Sequence, residues 1–327
     1  MRFTTAVLML ALFVAAGCGR VTYPKEKIAE SVVELCRKEY GIDIESKLVG
    51  ETLTVYLPIQ NLFDVTLNIN EKAQEKIRGV LWSASRIALS TDADIRFYCI
   101  ITQDVRIPQV QFVIIKYTDD LKRSWVGDIS RGEYFKRTIM DLNENPQAKK
   151  EEPIREVFRK KNLDKKMQEK ILDDFFRSPP ASLDGIGYWQ GEFYTKDIKL
   201  PEFMAEQMAG RIKKEIWDNE DLKKYGIKGI TGKYIINNGI KIFLVSFRSE
   251  ALLFTVEGRA KSDAESEVFG GLFGEMADVV YAYKFEDFDL MEILELSTNR
   301  KLVVPKDRVY LFECGEMPLD AILAGMK

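Results

Sequence analysis

One signature occurs twice in this chain and constrains its fold more than any other feature. Arg37-Lys38-Glu39-Tyr40-Gly41-Ile42 closes an apolar helical stripe made by Ile28, Ala29, Val32, Val33 and Cys36. Leu222-Lys223-Lys224-Tyr225-Gly226-Ile227 closes a second stripe, Met204, Met208, Ile212 and Ile216. Apolar residues three and four apart define a helix with one buried face. A glycine just past the last periodic residue supplies the left-handed cap that stops a helix, and an apolar residue behind it packs back onto the last turn.

Both caps lead into a similar run of elements. Residues 51–57 alternate as a strand with Leu53, Val55 and Leu57 on one face, and residues 239–247 are the counterpart, apolar on both faces. A helix comes next in both places. Residues 71–89 carry Ala73, Ile77, Val80, Leu81, Ala84, Ile87 and Ala88; residues 264–281 carry Phe269, Leu272, Phe273, Met276 and Val280. Strands at 94–102 and 288–296 come after the helices. The last strands are expected near Ile107-Pro108-Gln109-Val110-Gln111-Phe112 and, behind Val304-Pro305, at 308–312. The reading is an α+β protein with two copies of a small α-β-β-α-β-β sandwich. Helices lie on one face of a mostly antiparallel sheet, and a helical linker joins the copies.

That linker is residues 118–200. A short helix is expected over 131–142. Residues 143–153 are polar and interrupted by Pro146 and Pro153, and two charged helices come next at about 154–161 and 164–177. Residues 149–170 hold nine basic residues against five acidic ones, the pattern of a solvated helix face that could also meet anionic headgroups. Residues 275–296 hold seven acidic residues and one lysine. Aromatic residues collect in Gly187-Tyr188-Trp189-Gln190-Gly191-Glu192-Phe193-Tyr194 and, after the first copy, at Trp125 and Tyr134. Tyr188, Trp189, Phe193, Tyr194, Trp125 and Tyr134 are the candidate binding residues, because exposed Trp and Tyr anchor protein and saccharide contacts. The competing expectation makes residues 187–194 an extra strand capping the core of the second copy.

No catalytic constellation stands out. The chain has no histidine, which removes the commonest general base and the commonest transition-metal ligand. Gly229-Ile230-Thr231-Gly232-Lys233 lacks the spacing of a phosphate loop and precedes a strand. Thr91-Asp92-Ala93-Asp94 lacks the glycine and terminal glutamate of a calcium loop. The pairs Asp119-Asp120, Asp173-Asp174 and Glu286-Asp287 are adjacent in sequence and so project apart on a strand. No metal or cofactor is expected, and a net charge of −3 gives no bulk attraction for nucleic acid.

The amino terminus has Arg2, an apolar run from Ala6 to Val14, then Ala15-Ala16-Gly17-Cys18. It resembles the signal peptide and lipobox of bacterial lipoproteins. The resemblance implies cleavage after Gly17, lipidation of Cys18 and acylation of the new amino terminus. Gly19 after the cysteine implies an outer-membrane address facing the periplasm. The organisation of the mature chain is also similar to ring-building lipoproteins of type III secretion, in which two small α/β domains stand behind a lipidated cysteine. The domains expected are thus 1–17 signal peptide, 18–24 tether of at most roughly 25 Å, 25–117 first unit, 118–200 linker and 201–327 second unit.

With Cys18 lipidated, Cys36, Cys99 and Cys314 remain. Cys36 on a helix stripe and Cys99 in an alternating strand are both expected to face the first core. Two readings stand, a Cys36–Cys99 disulfide or two buried thiols packing as small hydrophobes. The function expected is a lipid-anchored cell-envelope protein with a non-enzymatic binding or assembly role. Its partners would be the membrane and envelope proteins or further copies of itself. The alternatives are an envelope hydrolase using carboxylates or a serine, and a ligand receptor using the cleft between the units.

Overall fold

The computed structural model describes residues 23–64, 66, 68–176, 179–250 and 261–326; the signal sequence and Cys18 lie outside the described residues. The chain divides into two units. One runs to Tyr134 and takes in Met140–Pro179 and Ile186–Asp197. The other takes in Phe135–Ile139, Pro180–Gly185 and the chain from Ile198 onward.

The first unit begins α1 (Ile28–Tyr40), β1 (Glu45–Val49), β2 (Thr52–Ile59), α2 (Glu71–Leu89), β3 (Phe97–Asp104), β4 (Val110–Tyr117). Gly41, at φ +64°, ends α1 as its sequence signature demands, and its N–H reaches the Arg37 carbonyl. The Asn70 side chain accepts the Ala73 N–H and starts α2. Strands β1 and β2 pair antiparallel, β2 and β3 pair parallel across the α2 crossover, and β3 and β4 pair antiparallel. On the helix side, Val32, Leu35 and Cys36 of α1 and Ile77, Val80, Ala84 and Ile87 of α2 pack on Leu53, Val55, Leu57, Tyr98, Ile100 and Ile114.

Most of the expected linker belongs to this unit. It contains α3 (Thr118–Trp125), α4 (Arg131–Lys136), β5 (Ile139–Glu144), α5 (Pro146–Lys160), α6 (Lys165–Phe176), β6 (Gly187–Trp189) and β7 (Glu192–Tyr194). Strand β5 extends the sheet to the order β1-β2-β3-β4-β5. The helix expected over 131–142 therefore stops at Lys136. Ile139, Asp141 and Asn143 alternate with exposed Met140, Leu142 and Glu144, a period that a strand satisfies and a helix does not. The prolines expected to break structure are inside α5. Pro146 occupies its first turn, where the missing N–H costs nothing, behind Asn145, whose side chain caps Gln147 N–H at 2.9 Å. Pro153 lies in the helix interior.

The second unit runs α7 (Leu200–Asp218), α8 (Glu220–Lys223), β8 (Ile227–Asn237), β9 (Ile240–Ser249), α9 (Lys261–Tyr283), β10 (Leu290–Glu295), β11 (Arg300–Pro305), α10 (Lys306–Glu313), α11 (Leu319–Leu323). Its sheet reads β8-β9-β10-β11, with β8–β9 and β10–β11 antiparallel and β9–β10 parallel. Gly226 carries φ +57° at the second signature. Met204, Met208 and Ile212 pack with Phe243, Val245, Phe247, Phe269, Phe273 and Met276. The strand expected at 308–312 is a correction. The final strand is β11, which ends where Pro305 pairs with Leu290, and 308–312 belongs to α10. Asp307 in the first turn favours a helix start there, Val309 turns inward, and the Tyr310 hydroxyl donates to the Phe285 carbonyl at 2.8 Å.

Candidate functional site

The aromatic residues singled out in the sequence go to two faces of the first unit. Tyr188, Trp189, Phe193 and Tyr194 form the β6–β7 hairpin, which covers the sheet face opposite α1 and α2. Tyr188 stacks on Tyr56 with ring centroids 3.6 Å apart, and its hydroxyl donates to Glu45 Oε1 at 2.6 Å. The Gln111 amide brackets the Tyr188 backbone, donating to its carbonyl and accepting its N–H. Asn145 donates to the same carbonyl at 3.0 Å. Phe193 meets the Tyr188 ring edge-on, and Trp189 Nε1 donates to Glu151, a nearly buried carboxylate that also pairs with Arg155. Further along, Thr195 and Thr54 share a hydroxyl hydrogen bond at 2.8 Å, and Asp197 accepts the Glu51 N–H at 2.8 Å. The expectation that these residues cap the second copy is thus overturned. Their polar groups match the first sheet's second face, where Thr54, Tyr56, Gln103 and Gln111 need partners.

Trp125 and Tyr134 lie on the helix side, and the structure brings them to residues that carry no motif in the sequence. Trp125, 56% exposed at the end of α3, touches Trp82 of α2, 49% exposed, with centroids 6.0 Å apart and planes tilted by 42°. Val126 beside them is exposed as well. One turn along α2 from Trp82, the Ser85 hydroxyl donates to the Leu81 carbonyl and lies 3.1 Å from the buried Tyr98 hydroxyl. The Tyr98 hydroxyl meets that of Tyr134 at 3.0 Å. Lys116, the cross-strand partner of Tyr98, sets its ammonium 4.1 Å from the centre of the Tyr134 ring. Burial pushes the Lys116 amine down to about 8, with no carboxylate among the described residues offsetting it. Burial also raises both tyrosine hydroxyls, and the nearby Asp120 charge adds to it.

Two of these residues, missed by sequence reasoning, carry signals that could have found them. Trp82 falls outside the α2 stripe of Ile77, Val80, Ala84 and Ile87, so a large aromatic ring is aimed at solvent. Lys116 sits on the strand face of Phe112 and Ile114, where alternation calls for an apolar side chain.

The expectation that Cys36 and Cys99 face the same core fails on geometry, and the disulfide reading with it. Cys36, Tyr98 and Ile100 belong to the helix-side core, and strand alternation sends Cys99 between them to the opposite face. Cys36 and Cys99 are free and buried, burial raising both thiols, and Cys314 is free and exposed. Among the described residues no group of His, Cys, Asp and Glu could hold a metal ion, and no helix is long and apolar enough to cross a membrane. The fold and this surface define an α+β protein with mixed sheets and packed helices. No family model, no curated protein and no solved structure matches the chain.

Proposed function

We propose that this is a lipid-anchored cell-envelope protein, held by Cys18 at the periplasmic face of the outer membrane, with a binding or assembly role and no catalytic one. The observation that carries the binding role is the Trp82–Trp125 pair. Two tryptophans in contact, each about half exposed, sit on a helix pair whose inner face is fully packed. Trp is the residue type most enriched where protein contacts concentrate their energy. The partner class is an envelope protein or a second copy of this chain.

We read the two units as copies of one α-β-β-α-β-β unit. The shared order helix, two strands, helix, two strands, the shared antiparallel–parallel–antiparallel pairing of those four strands and a left-handed glycine ahead of the first strand in each support this, with α8 added in the second unit and β5 in the first. The anchor reading rests on residues 1–18, and the structure adds a consequence. Tyr23 forms a bridge with Thr91 at the end of α2. Five peptide links from Cys18 to Tyr23 reach at most about 18 Å, so a lipid on Cys18 would hold that end of the first unit against the bilayer.

The test has two arms in intact cells. Metabolic labelling with palmitate should mark the wild-type chain, and Cys18→Ala should lose both label and membrane fraction. A photo-crosslinking residue at Trp125 should give one discrete adduct, absent when Met167, equally exposed on α6, carries it. Retention of Cys18→Ala in membranes sinks the anchor; equal crosslinking from both positions sinks the binding surface.

A further inference from the structure

The outward face of the second sheet departs from the pattern of a solvated sheet, in which residues alternate apolar inward and polar outward. Phe243, Val245, Met291 and Ile293 pack with α7 and α9, so alternation turns their neighbours to the other side. That side carries Ile235 on β8, Ile242 and Leu244 on β9, Leu290 and Leu294 on β10, and Val303 on β11, and none of the six belongs to either packed core. The strand registers set them in rows. Ile235, Ile242 and Leu290 lie side by side, and the adjacent row reads Lys233, Leu244, Glu292, Val303. Among the described residues, the Lys233 and Glu292 side chains have no hydrogen-bond or ion-pair partner. In the first unit the same face is closed. A buried carboxylate ends the parallel strand pair in each unit, Asp104 opposite Ile59 and Glu295 opposite Phe247. Counted back from there, Leu244 stands where Tyr56 does. Tyr56 lies under the Tyr188 ring, whereas Leu244 is half-buried.

We propose that this face is the interface of a homodimer, covered by the same sheet of a second copy of the chain. Stacked sheets keep their strands nearly aligned at about 10 Å separation, and identical faces pair about a two-fold axis. The charges choose that axis. Set along β9, it lays Leu244 on Leu244 of the second copy. Lys233 and Glu292 lie one strand, about 4.8 Å, to either side of it, so Lys233 meets Glu292 of the second copy, and the pair forms twice. The same rotation lays Ile235 against Leu290 and leaves β11, with Lys301, at the rim. An axis between β9 and β10 would press Glu292 onto Leu244, and one along β10 would oppose Glu292 to itself. An axis across the strands would leave Lys233 over β8, which has no acidic residue. Apolar burial supplies the attraction, and the two ion pairs fix the register. The proposal stands independently of the lipid anchor and of the Trp82–Trp125 surface.

Sedimentation equilibrium of the full chain in a density-matched mild detergent tests it. The wild-type chain should dimerise with a micromolar or tighter Kd. Lys233→Glu and Glu292→Lys should each weaken dimerisation at least about a hundredfold, because each opposes like charges at two places. Combined in one chain, the two reversals should bring the Kd back to within about threefold of wild type. Neither side chain has a partner within the fold, so both single variants should keep the wild-type thermal midpoint. Trp125→Ala should leave the dimer intact. A monomeric wild-type chain, single reversals that dimerise normally, or a double variant that stays monomeric overturns the proposal. So does a dimer lost in Trp125→Ala, which would place self-association on the first unit.

Discussion

The recurring Tyr-Gly-Ile signature shows how far single residues could be read in advance. Gly41 and Gly226 both take the left-handed conformation that the helix ends require. Their neighbouring tyrosines share no such fate. Tyr40 is exposed and rests on Gly79, while Tyr225 is buried and donates its hydroxyl to Glu267 at 2.6 Å. The cap is a local backbone requirement and therefore visible in sequence. The side chain's environment depends on which helix crosses it, and that is not. Gly232 makes the same point more sharply. It lies in β8 where α7 crosses, and a Cβ there would stand 1.9 Å from the Ala205 carbonyl oxygen. Backbone atoms cannot yield as a flexible side-chain tip can. Gly232→Ala should thus lower stability by about 3 kcal/mol, read from the urea midpoint of the second unit. A loss below about 0.5 kcal/mol would mean that α7 moves aside freely. In the sequence, Gly232 belonged to a discarded phosphate-loop fragment; its true role, close helix–strand approach, needs the tertiary fold to be seen.

Long elements with strong periodicity were legible. The helix expected over 71–89 is α2 (Glu71–Leu89), and the strand at 51–57 lies within one or two residues of β2 (Thr52–Ile59). Short elements without a buried face of their own were not. Strand β5 exists because β4 offers it an edge, and α10 because β11 already fills the strand position. The β6–β7 hairpin is the extreme case. Two three-residue strands have no stability alone, and their place is fixed by Tyr56, Gln111 and Glu45, all far away in sequence. Tyr188 is therefore the hinge pin of this element. Tyr188→Ala removes the stacked ring and the Glu45 bond, and should cost about 3–4 kcal/mol. Tyr188→Phe keeps the ring and should cost about 1 kcal/mol. Amide hydrogen exchange separates this from general loosening. In Tyr188→Ala, protection should fall first across 187–197 and in the facing residues of β2 and β4. Uniform loss across the first unit would instead make the hairpin a passive passenger of the sheet.

At the scale of the molecule, the acidic bias of the carboxyl-terminal third has a thermodynamic consequence in the second unit. Burial raises Glu313 to about 7, with the Asp278 charge adding to it, and burial followed by the same Asp278 charge raises Glu275. Both groups bind a proton more tightly folded than unfolded. Between the unfolded carboxylate value of about 4.3 and about 7, the folded state holds more protons, so stability falls as pH rises through that window. Glu295 works in the opposite sense and lower on the scale. Burial would raise it, but hydrogen bonds from Thr298, Ser297 and Ser249 more than offset this and hold it below the usual carboxylate range. Its stabilisation is lost only as pH falls through that depressed value. The thermal midpoint of the second unit should therefore be higher near about pH 5 than near about pH 7.5, values that bracket the Glu313 titration. Glu313→Gln, which fixes the neutral form, should flatten that fall and leave the midpoint at the lower pH nearly unchanged. A variant whose midpoint falls with pH as steeply as the wild type would show that Glu313 ionises without penalty. The slope would then have to come from Glu275, which Glu275→Gln reports in the same scan.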